Sequence, residues 1–187
     1  MMAKRMIINV VAGVACAGLI HDSARGYEIP RRRIEITPYL NIVAPHDLLQ
    51  DWRGRNLVKD DPGPGFGVKI HNQVYGSFGF IIDFSFTDLE VTNNSLSTAA
   101  MFTGGGYYAR ETGIGDFSLN IGYGVLSVAG YAHALFLPGI EYDRRLSARF
   151  GISAGIDWVL PNDWFYEESV DTDYGTFSFY LGCGFVF

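Results

Sequence analysis

The chain of 187 residues is 48% hydrophobic, rich in Phe, Tyr and Gly, and carries a formal net charge of −6. This acidic balance, with no basic cluster beyond Arg31-Arg32-Arg33, argues against a nucleic-acid partner. The two cysteines, Cys16 and Cys183, lie at opposite ends of the chain, and Cys16 falls in a segment that we expect to be removed. The composition therefore predicts no internal disulfide, metal site or cofactor.

The first 26 residues have the order of a secretory signal peptide. Residues 1–5 include Lys4 and Arg5, and an apolar run of about 15 residues follows, shorter than the ~20 that a spanning helix needs. Ala24-Arg25-Gly26 places small residues before a cleavage point. A lipid-attachment site at Cys16 is the weaker alternative, because no leucine precedes it at the usual place. We predict removal of residues 1–26 and one domain over residues 27–187.

Eight segments of the mature chain have the length and flanking turn residues of strands. Their hydrophobic residues alternate with small or polar ones, most regularly where Phe78, Phe80, Ile82, Phe84 and Phe86 are separated by residues such as Gly79, Asp83 and Ser85. A period of two places the two sets on opposite faces of a sheet. The predicted strands span residues 33–43, 65–75, 77–88, 98–110, 116–128, 133–144, 147–160 and 174–187.

Short connections alternate with longer ones at residues 44–64, 89–97 and 161–173 and a shorter fourth near Gly130. Short turns on one side and long loops on the other are the pattern of bacterial outer-membrane barrels with short periplasmic turns. Phenylalanines that follow the short turns would form an aromatic girdle at the periplasmic rim, and aromatics near the long loops a second one. The periplasmic set is Phe78, Phe117, Phe150 and Phe187, and the opposite set is Trp158, Trp164, Phe165 and Tyr166.

Two segments alternate less cleanly than the others. Gly104-Gly105-Gly106 in the fourth predicts a bulge or a sharp bend, since glycine in a strand often marks one. Pro138 in the sixth lacks the amide N–H that a ladder bond needs, although a bulge there would be tolerated.

Three stretches resemble small Gram-negative outer-membrane barrel proteins of the OmpA/OmpW-like type. They are Glu35-Ile36-Thr37-Pro38-Tyr39-Leu40, Tyr75-Gly76-Ser77-Phe78-Gly79-Phe80 and Leu181-Gly182-Cys183-Gly184-Phe185-Val186-Phe187. The resemblance implies an all-β, closed antiparallel up-and-down transmembrane barrel of eight strands in the outer membrane. It also implies that the last strand, with Phe185 and Phe187, is an assembly signal for the outer-membrane barrel assembly machinery. Outer-membrane lipid and lipopolysaccharide are the other expected partners.

Charged residues on the inward parity of the strands form the candidate site. They line a channel or cavity, or they form an ion-pair network that fills a narrow lumen. We favour the network, because buried charges must be paired whether or not anything is transported. The inward polar cluster comprises Glu35, Lys69, His71, Asp83, Glu141, Asp143, Arg149 and Asp157.

Catalytic patterns are weak throughout the sequence. His71 has no serine at a useful spacing, and Ser127 and His133 flank a tight connection with nothing to orient them. We therefore expect no enzyme, and favour a non-enzymatic barrel with a structural, surface-interaction or weak small-solute pore role. The alternatives are a barrel enzyme acting on envelope lipids such as lipid A, and a soluble barrel of lipocalin shape. Outward phenylalanines argue against the soluble barrel, because they would face water.

Overall fold

The computed structural model describes residues 33–44, 58–59, 61–90, 96–112, 114–128, 131–162 and 176–187. The predicted signal peptide at residues 1–26 and much of the longer loops lie outside these ranges, as do His46, Trp164, Phe165 and Tyr166. Among the described residues, no helix is long and apolar enough to span a bilayer.

Eight antiparallel strands follow one another around a closed barrel, as the alternation predicted. Each strand pairs with its neighbours in sequence, and the last strand returns to the first, where Glu35 is paired with Val186 and Ala44 with Phe177. The strands are β1 (Arg33–Ala44), β2 (Gly63–Tyr75), β3 (Phe78–Glu90), β4 (Leu96–Glu111), β5 (Asp116–Val128), β6 (Tyr131–Arg145), β7 (Phe150–Asn162) and β8 (Thr176–Val186).

The outer face of the barrel is apolar along most of its height. Leu40, Phe80 and Leu181 are 72%, 63% and 64% exposed, and they belong to alternating rows of exposed hydrophobic side chains on their strands. A soluble barrel would present these rows to water, whereas lipid covers them at no cost. The alternation thus specifies both the strand register and the solvent of the outer face.

The glycine triplet of β4 forms no bulge, so the bulge that the sequence suggested there is wrong. Pairing with β3 and with β5 runs through Gly104, Gly105 and Gly106 without a register shift. A Cβ on Gly105 would overlap the backbone carbonyl of Ile121, so this glycine allows β4 and β5 to approach closely.

Of the four prolines in the strands, Pro38 and Pro138 lie where pairing is interrupted without a register shift. Pairing of β6 with β7 stops at Phe136 and resumes in the same register at Gly139, on either side of Pro138. Pro38 in β1 lies in a similar gap opposite β8. A missing amide N–H removes ladder bonds locally, and no extra residue is needed to accommodate it.

Three of the four phenylalanines predicted for the girdle lie at the rim of the short turns. Phe78, Phe117 and Phe150 each begin a strand after a short turn and contact an aromatic ring on the neighbouring strand, at centroid distances of 5.0, 4.9 and 5.6 Å. The partner of Phe150 is Phe185, and Phe187 lies two residues beyond it. Phe185 is therefore the β8 member of the girdle. At the opposite rim, Trp158 stacks on Phe177 at 5.9 Å.

Candidate functional site in the barrel interior

The end of the lumen beside the long connections is filled with apolar side chains. Every member of this group is at most 5% exposed, and all but one lie on the inward parity of a strand. Val58 is the exception, because it comes from the connection between β1 and β2. We call this group the apolar cap: Val43, Val58, Leu89, Ala99, Leu126, Val128, Leu135, Leu137 and Val159.

Lys69 occupies the middle of the lumen and is 1% exposed. Its Nζ donates a hydrogen bond to Asp157 at 2.8 Å and lies 3.9 Å from Glu141 Oε2. It also lies 3.7 Å from the centre of the Tyr180 ring and 5.8 Å from that of Tyr39. Two carboxylates and two aromatic faces thus surround one ammonium group, which offsets the cost of burying its charge.

Two further contacts extend this arrangement. The Tyr39 hydroxyl donates to Asp83 at 2.7 Å, and His71 Nε2 lies 3.3 Å from Glu141 Oε2. The result is one connected set of buried ionisable groups in the middle of the lumen. We call it the lysine network: Tyr39, Lys69, His71, Asp83, Glu141, Asp157 and Tyr180.

The remaining predicted residues lie elsewhere. Glu35 and Asp143 are half-buried on the side of the short turns, where the Ser153 hydroxyl donates to Asp143. Arg149 is exposed in the turn between β6 and β7, which corrects its predicted inward position. The strand begins one residue later, at Phe150, and a turn residue does not follow strand alternation.

A cavity of about 510 Å³ lies between the lysine network and the short turns, and we call it the vestibule. Its walls combine Glu35, Asp143 and His71 with several residues that we did not select from the sequence. Strand parity was the available signal for Tyr39, Tyr107 and Ser118, because each lies on the inward parity of its strand. The additional lining residues include Arg33, Tyr107, Asp116, Ser118 and Arg145.

The candidate serine–histidine pair does not form a catalytic site. Ser127 is exposed and shares the parity of Tyr123 and Val125, whereas His133 shares the parity of the buried Leu135. Their side chains therefore leave the sheet on opposite faces. In the part of the chain that the structure describes, no group of three His, Cys, Asp or Glu side chains could hold a metal ion.

No protein-family model and no curated protein matches the sequence. Solved structures share the fold. The attachment invasion locus protein Ail of Yersinia pestis, in complex with the heparin analogue sucrose octasulfate, is 16% identical with a TM-score of 0.53. That match covers 84% of this chain and 100% of Ail. The outer membrane protein OprG of Pseudomonas aeruginosa is 10% identical with a TM-score of 0.60, covering 83% of this chain and 96% of OprG.

These matches identify the fold as that of small outer-membrane barrels. A closed barrel leaves no unpaired strand edge, and this one carries lipid-compatible side chains on its outer face. The fold and this surface together place the protein in the outer membrane. By the rule that short turns of such barrels face the periplasm, the start of β1 and the end of β8 lie on the periplasmic side and the apolar cap at the extracellular end.

Proposed function

We propose that the protein is a non-enzymatic, non-conducting outer-membrane barrel with a structural or surface-interaction role. The apolar cap is the observation that supports this most directly. Leu126 and Leu135 are 1% and 0% exposed within it, and a pathway for polar solutes would have to pass between such side chains. Hydrated ions do not cross a dry apolar constriction without a large desolvation cost.

The lysine network supports the same proposal from the middle of the lumen. Lys69 forms ion pairs there with Glu141 and Asp157, and all three are at most 3% exposed, so their charges are largely unavailable to a passing solute. Eight strands leave an interior that side chains can fill. Together the two layers support a closed barrel over the weak pore that the sequence left open.

Planar-bilayer recording tests the absence of conduction. Purified protein, shown to be folded by a gel-mobility change on boiling, should give no stepwise currents over several hours. A porin added to the same bilayer is the positive control. Reproducible single-channel steps that scale with the amount of folded protein would contradict the proposal.

Lipid A profiles test the absence of enzymatic activity. Cells with and without the protein should give the same acylation and headgroup pattern by mass spectrometry. A loss or gain of one acyl chain that depends on the protein would instead support the alternative of a lipid-modifying barrel enzyme.

A surface role would depend on the long connections and on the lipid around them. Ail has been crystallised with a polyanionic heparin analogue. The connection at residues 161–173 of this chain contains five acidic and no basic residues, so direct polyanion binding there is disfavoured. We therefore propose lipopolysaccharide, bridged by divalent cations, as the extracellular partner. Calcium-dependent binding of lipopolysaccharide vesicles to the folded protein, abolished by EDTA, is the expected result.

A further inference from the structure

The vestibule is a polar chamber open on one side. The lysine network and the apolar cap close it towards the cell exterior, and the short turns at Gly76-Ser77 border its periplasmic mouth. Its volume of about 510 Å³ falls within the range of small-molecule sites. A ligand would have to enter from the periplasm.

Carboxylates outnumber cations in the described interior. Seven acidic side chains lie on the inward parity of the strands, against three cations, Arg33, Lys69 and Arg145, with His71 as a protonatable neighbour. Glu35 and Asp143 line the vestibule itself, and Glu141 Oε2 lies 3.3 Å from Nε2 of His71, another lining residue. This excess favours a positively charged guest. The seven acidic residues are Glu35, Asp83, Glu111, Asp116, Glu141, Asp143 and Asp157.

Unpartnered hydrogen-bonding atoms mark the same place. Ser118 lines the vestibule and is 4% exposed, and its hydroxyl has no hydrogen-bond partner among the described residues. Glu141 is paired with Ser118 across β5 and β6, and its Oε1 atom is also buried without a hydrogen-bond partner among the described residues. A buried hydroxyl without a partner is uncommon in folded proteins, and a bound donor would satisfy it.

Lys69 shows how this interior binds an ammonium group, with a carboxylate and an aromatic ring. It is held by the Asp157 carboxylate at 2.8 Å and lies over the face of Tyr180. The vestibule offers the same combination one layer closer to the periplasm, with Glu35 and Asp143 as carboxylates and Tyr107 as the aromatic ring. Carboxylates with an aromatic face are a general recognition pattern for organic cations.

We propose that the vestibule binds the ammonium group of a small primary amine that enters from the periplasm. Glu35 and Asp143 supply the charge, Ser118 accepts a hydrogen bond from the ammonium group, and the amine's alkyl part points to the mouth. A bare metal ion fits less well, because no described group of three ligating side chains converges here.

Arginines at the mouth of the vestibule repel an approaching ammonium group. Arg145 is 3.7 Å from Asp116 and is partly neutralised by it. Arg33 and Arg110 also line the vestibule, and Arg33 acts electrostatically on both Glu35 and Asp116. Because Arg33 competes with an incoming cation, its removal should strengthen amine binding.

NMR titration of the folded protein in nanodiscs with butylamine tests the proposal. Saturable shifts are expected at residues around Ser118 and Glu35, with butyrate and butanol at equal concentration as controls that give none. The double variant Glu35→Gln/Asp143→Asn should bind butylamine about tenfold more weakly, as expected for lost charge-assisted contacts. Asp88→Asn is the matched control, because this exposed carboxylate lies at the other end of the barrel and should leave binding unchanged.

A second variant keeps the test decisive if the double variant fails to fold. Arg33→Gln should tighten butylamine binding severalfold, since one repelling charge at the mouth is removed. Absence of saturable shifts in the native protein would overturn the proposal, as would equal affinity in the native protein and both variants. Stronger binding of butyrate than of butylamine would overturn it too. Bilayer recordings test the closed barrel separately, so failure of either proposal can be recognised on its own.

Discussion

The two ends of the lumen are built from the same inward parity but with opposite chemistry. Around Leu126 and Leu135 the extracellular end is dry and closely packed. Around Glu35 and Asp143 the periplasmic end is polar and holds a cavity of about 510 Å³. Lys69 lies between them, fully buried.

This difference indicates that one end of the lumen contributes packing, whereas the other leaves space for a ligand. The apolar cap stabilises the extracellular end by burying hydrophobic surface, whereas the middle layer depends on the ion pairs of Lys69 with Asp157 and Glu141. Only the periplasmic end has space left for a ligand. Substitutions in each layer should therefore fail for different reasons and by different amounts.

Removal of the lysine charge should have the largest effect on stability. Lys69→Met leaves the buried carboxylates of Asp157 and Glu141 without their cation, and breaking a buried ion pair on one side costs about 3–5 kcal/mol. Urea unfolding in lipid vesicles, followed by gel mobility, measures this loss. Lys59→Met is the matched control, because its ion pair with Glu90 is one-third exposed and worth about 0–1 kcal/mol. Equal losses in the two variants would show that the buried ion pairs of Lys69 stabilise the fold no more than the exposed pair of Lys59.

Truncation in the apolar cap should cost slightly less. Leu135→Ala removes a side chain that is 0% exposed, and such cavities typically lower the free energy of unfolding by about 2–5 kcal/mol. Leu181→Ala is the control, because Leu181 is 64% exposed on the lipid-facing side and leaves no cavity. The same urea experiment compares them. A larger loss for Leu181→Ala would mean that the extracellular end is not packed as described.

A glycine substitution tests the space that the lysine network requires. A Cβ on Gly155 would overlap the Tyr180 hydroxyl and ring, so Gly155→Ala should displace Tyr180 from Lys69 and cost about 1–3 kcal/mol. Gly104→Ala meets nothing within 4 Å and should change stability by less than about 0.5 kcal/mol. Equal unfolding curves for the two variants would contradict this account.

Deletion of Phe187 should have the smallest effect on stability and a clear effect on assembly. Its amide donates to Ile34 at 3.0 Å, but its side chain is 77% exposed, so little packing is lost. If the last strand is the assembly signal, outer-membrane levels of the truncated protein should fall severalfold while its refolded stability stays near that of the full chain. Phe80→Ala, which alters an exposed phenylalanine away from the last strand, is the control. Normal membrane levels after the deletion would argue against a signal at Phe187.

Strand parity could be predicted from the sequence because it depends on local geometry alone. Phe78 to Phe86 alternate with small and polar residues, and a period of two assigns each set to one face without any knowledge of the partner strand. The same rule placed Lys69, Asp83, Glu141 and Asp157 inside, where the structure finds them.

Strand parity does not apply to residues outside the paired strands. It also says nothing about how closely two strands approach or which residues are opposite each other. Arg149 lies in a turn, so its parity carries no meaning. The glycines at 104–106 suggested a bulge, but their role depends on the distance between β4 and its neighbours. In the pairing of β7 with β8, Phe185 and not Phe187 is opposite Phe150. Phe185 is therefore the β8 residue in the girdle.

The sequence by itself determined the number of strands, the faces of their side chains and the lipid-facing surface, because alternation and turn chemistry are local. Only the tertiary structure decided what the inward side chains do together. Closure of the barrel brings Lys69 of β2 to Asp157 of β7 and Val43 of β1 to the other members of the apolar cap. These contacts join residues far apart in the chain, and their layering produces a lumen sealed at one end and open at the other.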